Sequence, residues 1–186
     1  MNVPTIEPTA LEGILIVTPR RFVDARGFFS ETYNHAAFRA AGIDVEFVQD
    51  NQSLSRQRGT LRGLHFQISP AAQAKLVRVA RGVIYDVAVD IRRSSPTFGR
   101  SVGVTLSAEN GKQLFVPRGF AHGFCTLEPD TEVIYKVNAY YSGAHERGLN
   151  WCDPALGVDW PLADNDIVLI ERDKSWPALA DLPSYF

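Results

Sequence analysis

From Val45 onward, apolar and polar positions alternate with a period of two, which is the pattern of half-buried β-strands. In residues 83–92, VIYDVAVDIR, the apolar side chains share one face of the predicted strand, while Asp86, Asp90 and Arg92 lie on the other. Further predicted strands have the sequences SVGVTLS, QLFVP, GFCTL and TEVIYKV, with turn-forming residues between them. Strands spaced about ten residues apart, with no helix between them, predict an antiparallel sandwich or barrel.

The regions before and after these strands are less regular. Residues 13–18, GILIVT, predict a first strand, and the extended stretch that follows is interrupted at Asp24–Gly27. Asn34 can cap a short helix with the sequence HAAFRAA, which Gly42 ends. Residues 140–186 contain several prolines and predict irregular segments or short helices packed over the barrel.

Length and composition are those of a soluble globular protein. A chain of 186 residues is long enough for one domain with a full core, and we predict a single domain of residues 1–186. The apolar content of 45% and charged content of 22% are ordinary for that class. The net charge of −2 does not predict binding to nucleic acid or an anionic membrane, so an anionic ligand would need a local cluster of Arg and Lys.

Location follows from a few sequence features. Cys125 and Cys152 are too few to predict a disulfide scaffold. The N-terminal sequence MNVPTIEPTA lacks the basic and apolar regions of a signal peptide, and no apolar run approaches the length of a membrane span. We therefore predict a cytoplasmic protein that does not associate with membranes.

Residues 59–75, GTLRGLHFQISPAAQAK, concentrate the candidate chemistry. A buried strand is normally rich in β-branched and aromatic residues, whereas this window carries Arg62, His65, Gln67 and Lys75. These side chains can take a proton, hold a charge or bind a phosphate. We interpret His65 as a general base and Lys75 as a charge stabiliser inside the barrel.

Two glycine and histidine spacings resemble the sequence motifs of the cupin superfamily, whose small barrels often bind a metal. Gly111 is followed after five residues by PRGFAH, residues 117–122, which resembles the second cupin motif. Gly59, His65 and Gly82 have a spacing that resembles the first, although the interval is longer than usual.

The departures from the metal-binding pattern point away from a metal site. Gln67 stands where a metal-binding cupin has a second histidine, and Lys75 stands in place of its glutamate. An ammonium repels a divalent cation, so only His65 and His122 remain of the usual ligand set. We predict no bound metal; His122 is then either a hydrogen-bonded histidine near a turn or a residue that faces a ligand.

A narrower resemblance covers residues 13 to 173, nearly the whole chain. It rests on the motifs DARGFFSE, QDNQS, RGLHFQ, KLVR, DVAVDIR, SPTFG, SAEN and PRGFAHGF. In these motifs the sequence is similar to the dTDP-4-dehydrorhamnose 3,5-epimerases, which are metal-free cupins of dTDP-L-rhamnose biosynthesis. The resemblance implies a cupin-type antiparallel β-barrel (jelly roll) with short peripheral helices, no cofactor, a homodimer and a dTDP-4-keto-6-deoxy sugar substrate.

The resemblance also implies catalytic roles. By similarity His65 is the base, Tyr135 the acid on the opposite face of the sugar, and Lys75 the residue that stabilises the enolate. Asp173 matches the carboxylate that orients the histidine, but Ile170 replaces the serine usual three residues before it. Each residue also has an ordinary structural explanation: a core tyrosine, a solvated lysine at a strand end, or a surface carboxylate.

Eight further residues match substrate-contacting positions of the family. Arg26 and Arg62 are the candidate diphosphate clamps, because a guanidinium pairs with two phosphate oxygens at once. Strict alternation places Arg62 on the face opposite His65, so either a bulge near Gly63 redirects it or it reaches the ligand from the rim. Asp24–Gly27 could instead be a simple surface turn. The matching residues are Arg26, Glu31, Gln49, Asn51, Arg62, His122, Glu146 and Arg172.

The resemblance implies an isomerase that converts dTDP-4-dehydro-6-deoxy-D-glucose to dTDP-4-dehydro-L-rhamnose by epimerisation at C3 and C5. An enzyme acting at C3 alone could keep His65, Lys75 and Tyr135, so the motifs do not separate the two. A metal-dependent cupin oxygenase and a non-catalytic protein that binds nucleotide sugars are the alternatives from other classes.

Overall fold

The computed structural model describes residues 2–186, so residue 1 of the predicted domain lies outside the described residues. The strands are β1 (Thr5–Pro8), β2 (Leu15–Thr18), β3 (Arg21–Asp24), β4 (Gly27–Ser30), β5 (Gln49–Ser55), β6 (Leu61–Gln67), β7 (Lys75–Arg81), β8 (Val83–Asp90), β9 (Ser101–Ser107), β10 (Gln113–Val116), β11 (Phe120–Thr126), β12 (Thr131–Val137) and β13 (Glu146–Gly148). The helices are α1 (His35–Ala40) and α2 (Glu171–Lys174), with 3₁₀ turns at Gly143–His145, Pro154–Leu156, Asp164–Asp166 and Leu179–Asp181.

Two antiparallel sheets face each other across the main core, which confirms the predicted antiparallel barrel with short peripheral helices. One sheet has six strands in the order β1-β2-β10-β7-β12-β5, and the other has five in the order β13-β6-β11-β8-β9. Val77 and Leu114 from the first sheet and Ile84 and Phe124 from the second belong to one buried cluster. At one end of the barrel this cluster leaves a cavity between the two sheets.

The alternating pattern of strand β8 normally indicates one buried face and one face exposed to solvent, but here both faces are buried. Its face with Val87 and Val89 packs against the C-terminal segment, including Leu156 and Leu182. The opposite face points into the barrel, and Asp86 there is 0% exposed. Both faces of the strand are therefore buried, and the polar positions lie inside the molecule.

The outer face of the six-stranded sheet is covered by the segment around α1. Asn34 caps this helix as predicted, with its side chain accepting a hydrogen bond from the Ala37 backbone N–H at 3.2 Å. Phe38 packs against Val17 and Leu76 of the sheet. A positive φ of 95° at Gly42 then allows the chain to turn away from the helix.

Strands β3 and β4 form a separate two-stranded hairpin, and its turn lies at the predicted interruption. The hairpin exposes apolar side chains, with Val23 at 79% and Phe29 at 67% relative exposure. Arg26 at its tip is bonded only within the turn, donating to the Asp24 carboxylate at 2.6 Å. An exposed apolar hairpin of this kind is a candidate contact surface.

The segment after β13 folds back over the five-stranded sheet, as expected for irregular structure with short helices. Its chain joins the barrel at Val168, which donates to the Gly59 carbonyl at 2.8 Å and accepts from the Leu61 N–H at 2.9 Å. This connection places helix α2 against β6. No helix within residues 2–186 is long and apolar enough to cross a membrane.

Candidate active site

A cavity of about 300 Å³ opens between the two sheets, and most of the residues singled out from the sequence line it. The predicted residues on its walls are Arg62, His65, Lys75, His122, Tyr135, Glu146, Arg172 and Asp173. The remaining wall is largely apolar and is formed by Leu61, Phe124, Val168, Leu169 and Ile170, with Ser53 and Thr60.

His65 and Asp173 form a hydrogen-bonded pair in the wall of this cavity. The His65 Nε2 and Asp173 Oδ1 atoms are 2.7 Å apart. Asp173 is 2% exposed, and its other oxygen accepts from the Gly63 N–H at 3.3 Å. Burial raises the pKa of Asp173, but the hydrogen bonds from His65, Trp176 and Gly63 outweigh it and hold the pKa below its usual value.

This pairing fixes which nitrogen of His65 can act as a base. An ionised Asp173 can only accept, so it selects the tautomer with the proton on Nε2. The lone pair of Nδ1 is then free to take a proton from a ligand in the cavity. Asp173 thus orients the ring, as a buried carboxylate does in other His–Asp pairs.

Trp176 supports the same carboxylate and was not singled out from the sequence. Its indole Nε1–H donates to Asp173 Oδ1 at 3.2 Å, and its ring lies edge-on to His65 with centroids 6.2 Å apart. The indole lies directly over Gly148, where an added Cβ would be 2.2 Å from Trp176 Cδ2. A side chain at position 148 would therefore displace the tryptophan that holds Asp173.

A bulge in β6 resolves the predicted conflict between Arg62 and His65. His122 of β11 pairs with His65 and Phe124 pairs with Arg62, so two residues of β6 oppose one of β11. Gly63 has a φ of +145°, and a Cβ there would approach the Gly123 Cα to 2.6 Å. The bulge places Arg62 on the cavity wall together with His65.

Lys75 begins β7, in the opposite sheet, and its side chain is half-buried in the cavity. Its Nζ donates to the backbone carbonyl of His65 at 3.3 Å. Burial lowers the pKa of Lys75 to about 8, while the negative charges of Asp86 and Glu146 act in the opposite direction. The ammonium is thus charged at neutral pH and close to losing its proton.

His122 lies deeper in the barrel and combines the two alternatives left open by the sequence. It is buried and bonded through Nε2 to Asp86 Oδ1 at 2.8 Å, and it also lines the cavity. Burial lowers the pKa of His122, with the Asp86 carboxylate opposing this and the positive charge of Lys75 adding to it. The imidazole is therefore neutral at pH 7.

Tyr135 of β12 stands on the wall opposite His65, because β12 belongs to the six-stranded sheet and β6 to the five-stranded sheet. Its ring packs against the main core while its edge lines the cavity. Burial raises the pKa of Tyr135, the charge of Arg62 lowers it and that of Glu146 raises it. The phenol keeps its proton at neutral pH and can donate it.

Charged residues surround the mouth of the cavity. Glu146 accepts from Arg172 Nη1 at 2.8 Å and from the Tyr141 hydroxyl at 3.0 Å. Arg62 donates to Ser55 Oγ and to the Leu54 carbonyl, both at 3.2 Å. Arg62 and Arg172 thus place two guanidinium groups in the same cavity as the acid and base candidates.

Four predicted contact residues do not line this cavity. Arg26 is 90% exposed in its side chain at the hairpin tip, and Glu31 follows the hairpin. Gln49 and Asn51 lie on β5 and bond to each other at 2.8 Å. They share the face of Ser53, which does line the cavity, so they continue its wall toward the free edge of the sheet.

Gln67 and Asp86 have roles that the sequence did not reveal. Gln67 is buried and holds two loops, donating to the Ala71 carbonyl at 2.8 Å and accepting from the Ser142 N–H at 2.7 Å. Asp86 was recognised only as a polar position on one face of β8. The sequence signal for a buried role was an aspartate in the middle of a largely apolar strand.

Across residues 2–186, no cluster of three or more His, Cys, Asp or Glu side chains could hold a metal ion.

The geometry therefore combines a candidate base, a candidate acid on the opposite wall and an ammonium within one cavity. Such an arrangement can remove a proton next to a carbonyl group and stabilise the resulting enolate. The fold and the cavity define a β-barrel protein with the groups needed for acid–base chemistry on a small ligand.

Comparison with known proteins identifies the family. A family model described as dTDP-4-dehydrorhamnose 3,5-epimerase matches residues 8–181. A protein named dTDP-4-dehydrorhamnose 3,5-epimerase from Sinorhizobium fredii (strain NBRC 101917 / NGR234) is 55% identical over 173 residues, covering 93% of this chain and 88% of the relative. The chain belongs to the dTDP-4-dehydrorhamnose 3,5-epimerase family, which confirms the resemblance found in the sequence.

Solved structures show the same fold. The dTDP-6-deoxy-D-glucose-3,5-epimerase of Legionella pneumophila Philadelphia 1, in complex with dTDP-4-keto-L-rhamnose, superimposes with a TM-score of 0.92 at 42% identity, covering 97% of this chain and 95% of that one. A 3′-monoepimerase from Streptomyces bikiniensis, in complex with dTDP-quinovose, gives a TM-score of 0.86 at 37% identity, covering 93% and 87%. The cupin-type fold is thereby confirmed.

Proposed function

We propose that this protein epimerises dTDP-4-dehydro-6-deoxy-D-glucose at C3 and C5 to give dTDP-4-dehydro-L-rhamnose, within dTDP-L-rhamnose biosynthesis. The observation that carries the proposal is the placement of the His65–Asp173 pair and of Tyr135 on opposite walls of one cavity. The family supplies the substrate, because relatives at about 50% identity carry this activity in their names.

The first half of the reaction is proton removal. The C–H bonds at C3 and C5 flank the C4 ketone and are the weakly acidic positions of the sugar. Nδ1 of His65 can take their protons in turn, because it releases the first to solvent before it takes the second, while Tyr135 regains from solvent the proton that it donates. Negative charge then develops on the ketone oxygen, where the Lys75 ammonium stabilises the enolate. Asp173 holds the imidazole in the tautomer that this step requires.

The second half is protonation from the other face. Inversion at a carbon requires the new proton to arrive opposite the one that left. Tyr135 stands on the wall opposite His65 and keeps its proton at neutral pH because burial raises its pKa. The nucleotide diphosphate is held at the mouth by Arg62 and Arg172, which can pair with phosphate oxygens.

Arg26 and Glu31 bind the nucleotide in the cavity of a second copy, which requires a homodimer. Support for the dimer comes from the hairpin β3–β4, which carries Arg26 at its tip and exposes Phe28 and Phe29 to solvent. Docking this hairpin on a second copy would bury its apolar side chains. It would also bring Arg26 and Glu31 to the cavity of that copy, where they bind the nucleotide.

The reaction as proposed uses no cofactor or metal. Lys75 occupies the position at which a metal-binding cupin has a carboxylate, and its charge would repel a divalent cation. Turnover should therefore survive treatment with EDTA followed by dialysis. Loss of turnover that one divalent ion restores would favour the metal-dependent cupin oxygenase instead.

Epimerisation at C3 alone is the second candidate, favoured by the likeness to the 3′-monoepimerase of Streptomyces bikiniensis. Turnover in D₂O, followed by mass spectrometry, tests both. Two deuterium atoms in the sugar indicate 3,5-epimerisation and one indicates a monoepimerase. Binding of the nucleotide sugar with no deuterium incorporation would instead support a non-catalytic binding protein.

We further propose that residues 1–186 act as a single catalytic domain in the cytoplasm. The family match over residues 8–181 supports one functional unit, because it includes both the barrel and the C-terminal segment. Asp173 comes from that segment, so the candidate site needs both parts. Cys125 and Cys152 are both free thiols, which is typical of a reducing compartment and supports the location.

A further inference from the structure

Asp86 lies beneath the candidate active site, and only one of its two carboxylate oxygens has a hydrogen-bond partner among the described residues. It is 0% exposed, and its Oδ1 accepts from His122 Nε2 at 2.8 Å. Its Oδ2 is buried and has no hydrogen-bond partner among residues 2–186. A buried carboxylate oxygen without a partner is costly, so its retention calls for a function that the fold alone does not supply.

Lys75 is the cation whose charge this carboxylate can balance. Asp86 lies on β8 and Lys75 on β7, and both side chains point into the barrel. Asp86 is the largest of the nearby charges that raise the pKa of Lys75 against the effect of burial. No ion pair within 4.0 Å joins Asp86 to Lys75 in the described part of the chain, where Asp86 pairs with His122 instead. The charge of Asp86 therefore acts on Lys75 over a longer distance.

The other polar groups around Lys75 are already engaged or neutral. Glu146 is the second negative charge, but Arg172 pairs with it at 2.8 Å. Val116, the neighbour of Lys75 on β10, carries no charge. The titratable or charged groups that share the cavity with Lys75 are Arg62 and His65 on β6, His122 on β11, Tyr135 on β12, Glu146 on β13, and Arg172 and Asp173 on α2.

We propose that Asp86 is a positioning residue: its carboxylate lies buried beneath the cavity that Lys75 and His122 line, and its charge balances that of the Lys75 ammonium. His122, bonded to the same carboxylate, holds Asp86 in this orientation. The inference rests on the epimerase function proposed above, in which the ammonium stabilises the enolate oxygen. Without the charge of Asp86, Lys75 would lose its proton at a lower pH than in the wild-type protein.

The lysine content of the chain allows a direct test. Only four lysines are present, at positions 75, 112, 136 and 174. NMR of the full chain with isotope-labelled lysine, assigned with Lys75→Met, can follow each ammonium through a pH titration. The other three lysines serve as internal controls in every spectrum.

Asp86→Asn keeps the shape of the side chain and removes its charge. We expect it to lower the titration midpoint of Lys75 by about one pH unit and to leave the other lysines unchanged. Asp86→Glu, which restores the charge, should return the midpoint to near the wild-type value. Glu146→Gln is the matched control and should lower the midpoint less, because Arg172 already pairs with Glu146.

The same variants separate a positioning role from a structural one in turnover. If the Lys75 midpoint falls by one unit, deuterium exchange by Asp86→Asn should drop about fivefold at pH 8 and stay within about 10% of wild type at pH 6. An unchanged midpoint, or an equal loss at both pH values, would overturn the proposal. A lowered midpoint with an unchanged pH profile would also overturn it, because Lys75 would not then control turnover.

Two further results keep the test decisive. If Asp86→Asn does not fold, Asp86→Ser removes the charge while keeping an acceptor for His122, and it carries the same expected midpoint. If the wild-type protein turns over no nucleotide sugar at all, the proposed function fails while the NMR midpoints still report the coupling. The failure of one is therefore distinguishable from the failure of the other.

Discussion

His65 Nε2 and Asp173 Oδ1 lie 2.7 Å apart although 108 positions separate the two residues in the chain. His65 comes from the middle of a barrel strand, whereas Asp173 comes from a one-turn helix in the C-terminal segment. The hydrogen bond therefore joins the segment to the barrel and, at the same time, sets the tautomer of the proposed base.

His65→Ala should abolish deuterium exchange at C3 and C5, because it removes the proposed base. The expected loss is about 10²–10⁴-fold. Binding of the nucleotide should persist, because Arg62 and Arg172 are untouched. Mass spectrometry of sugar incubated in D₂O measures the exchange, and calorimetric titration with dTDP measures the binding.

Asp173→Asn is the companion variant and should lose less, since the base remains but its orientation is no longer fixed. Exchange near the wild-type rate in His65→Ala would assign the base to another residue. An unchanged rate in Asp173→Asn would reduce Asp173 to a structural carboxylate.

Tyr135→Phe should uncouple exchange from inversion. His65 can remove a proton and return a solvent-derived one to the same face, which gives exchange without inversion. The variant removes the proposed acid and keeps the ring that packs against the main core. We therefore expect a folded protein that incorporates deuterium but forms little inverted sugar. A packing defect alone would slow both processes equally, and that result would remove Tyr135 from the mechanism.

Turnover should fall as the pH rises through about 8, the pKa to which burial lowers Lys75. The sign follows from the charge: the side chain is a cation below this pH and neutral above it, so enolate stabilisation is present below and lost above. Tyr135 does not account for this limb, because burial raises its pKa above 10.0. A pH profile of the initial rate, corrected for exchange without enzyme, measures the effect.

Lys75→Arg is the matched control for the fall in turnover as the pH rises through about 8. A guanidinium stays charged throughout this range, so whatever activity remains should not fall near pH 8. Lys75→Met, which removes the charge, should lose about 10²–10³-fold, the cost of deleting one oxyanion stabiliser. Persistence of the same limb in Lys75→Arg would assign it to a different group.

Local pattern was enough for the barrel and for part of the site. The period of two predicted the strands because each strand has two chemically distinct environments, and the cluster around His65 and Lys75 was visible within one short window. The role of Asp86 could not be predicted, since alternation says which face a residue is on and not whether that face is buried. The position of Arg62 depended on the bulge at Gly63, which requires knowing the partner strand.

The residues contributed by other parts of the chain needed the family resemblance. Asp173 lies in an irregular segment whose docking no periodicity encodes, and Trp176 became meaningful only beside it. Arg26 matched a contact position, yet it lies on an exposed hairpin away from the cavity. A single chain cannot show which surface a second copy covers, so its role stays a prediction.

Ile170→Ser should stabilise the protein. Ile170 occupies the N-cap of α2 and makes no side-chain capping bond, and its side chain is exposed. A serine there could accept from the N–H of Asp173, gaining about 0.5–1 kcal/mol. For a chain of this size that corresponds to a rise in Tm of about 1–4 °C. Differential scanning calorimetry measures it, and Ile170→Ala, which cannot cap, should show no rise.

Subunit mixing tests whether Arg26 acts on the cavity of a second copy. Arg26→Ala should weaken nucleotide binding, because it removes one of the proposed diphosphate clamps. His65→Ala removes the base and leaves Arg26 in place. In a mixed dimer of the two variants, one cavity has His65 from its own chain and Arg26 from the other, so that cavity is intact.

The expected result is quantitative. Random exchange in an equal mixture makes half of the dimers mixed, each with one intact cavity of two, which restores about a quarter of the wild-type activity. The control mixture contains His65→Ala and Tyr135→Phe, two residues that line the same cavity of one chain. This mixture should restore activity only if one cavity can combine His65 from one chain with Tyr135 from the other. Because both residues act in the cavity of their own chain, that mixture should form no inverted sugar. Recovery in neither mixture, with dimers confirmed by light scattering, would show that Arg26 does not act on the cavity of a second copy.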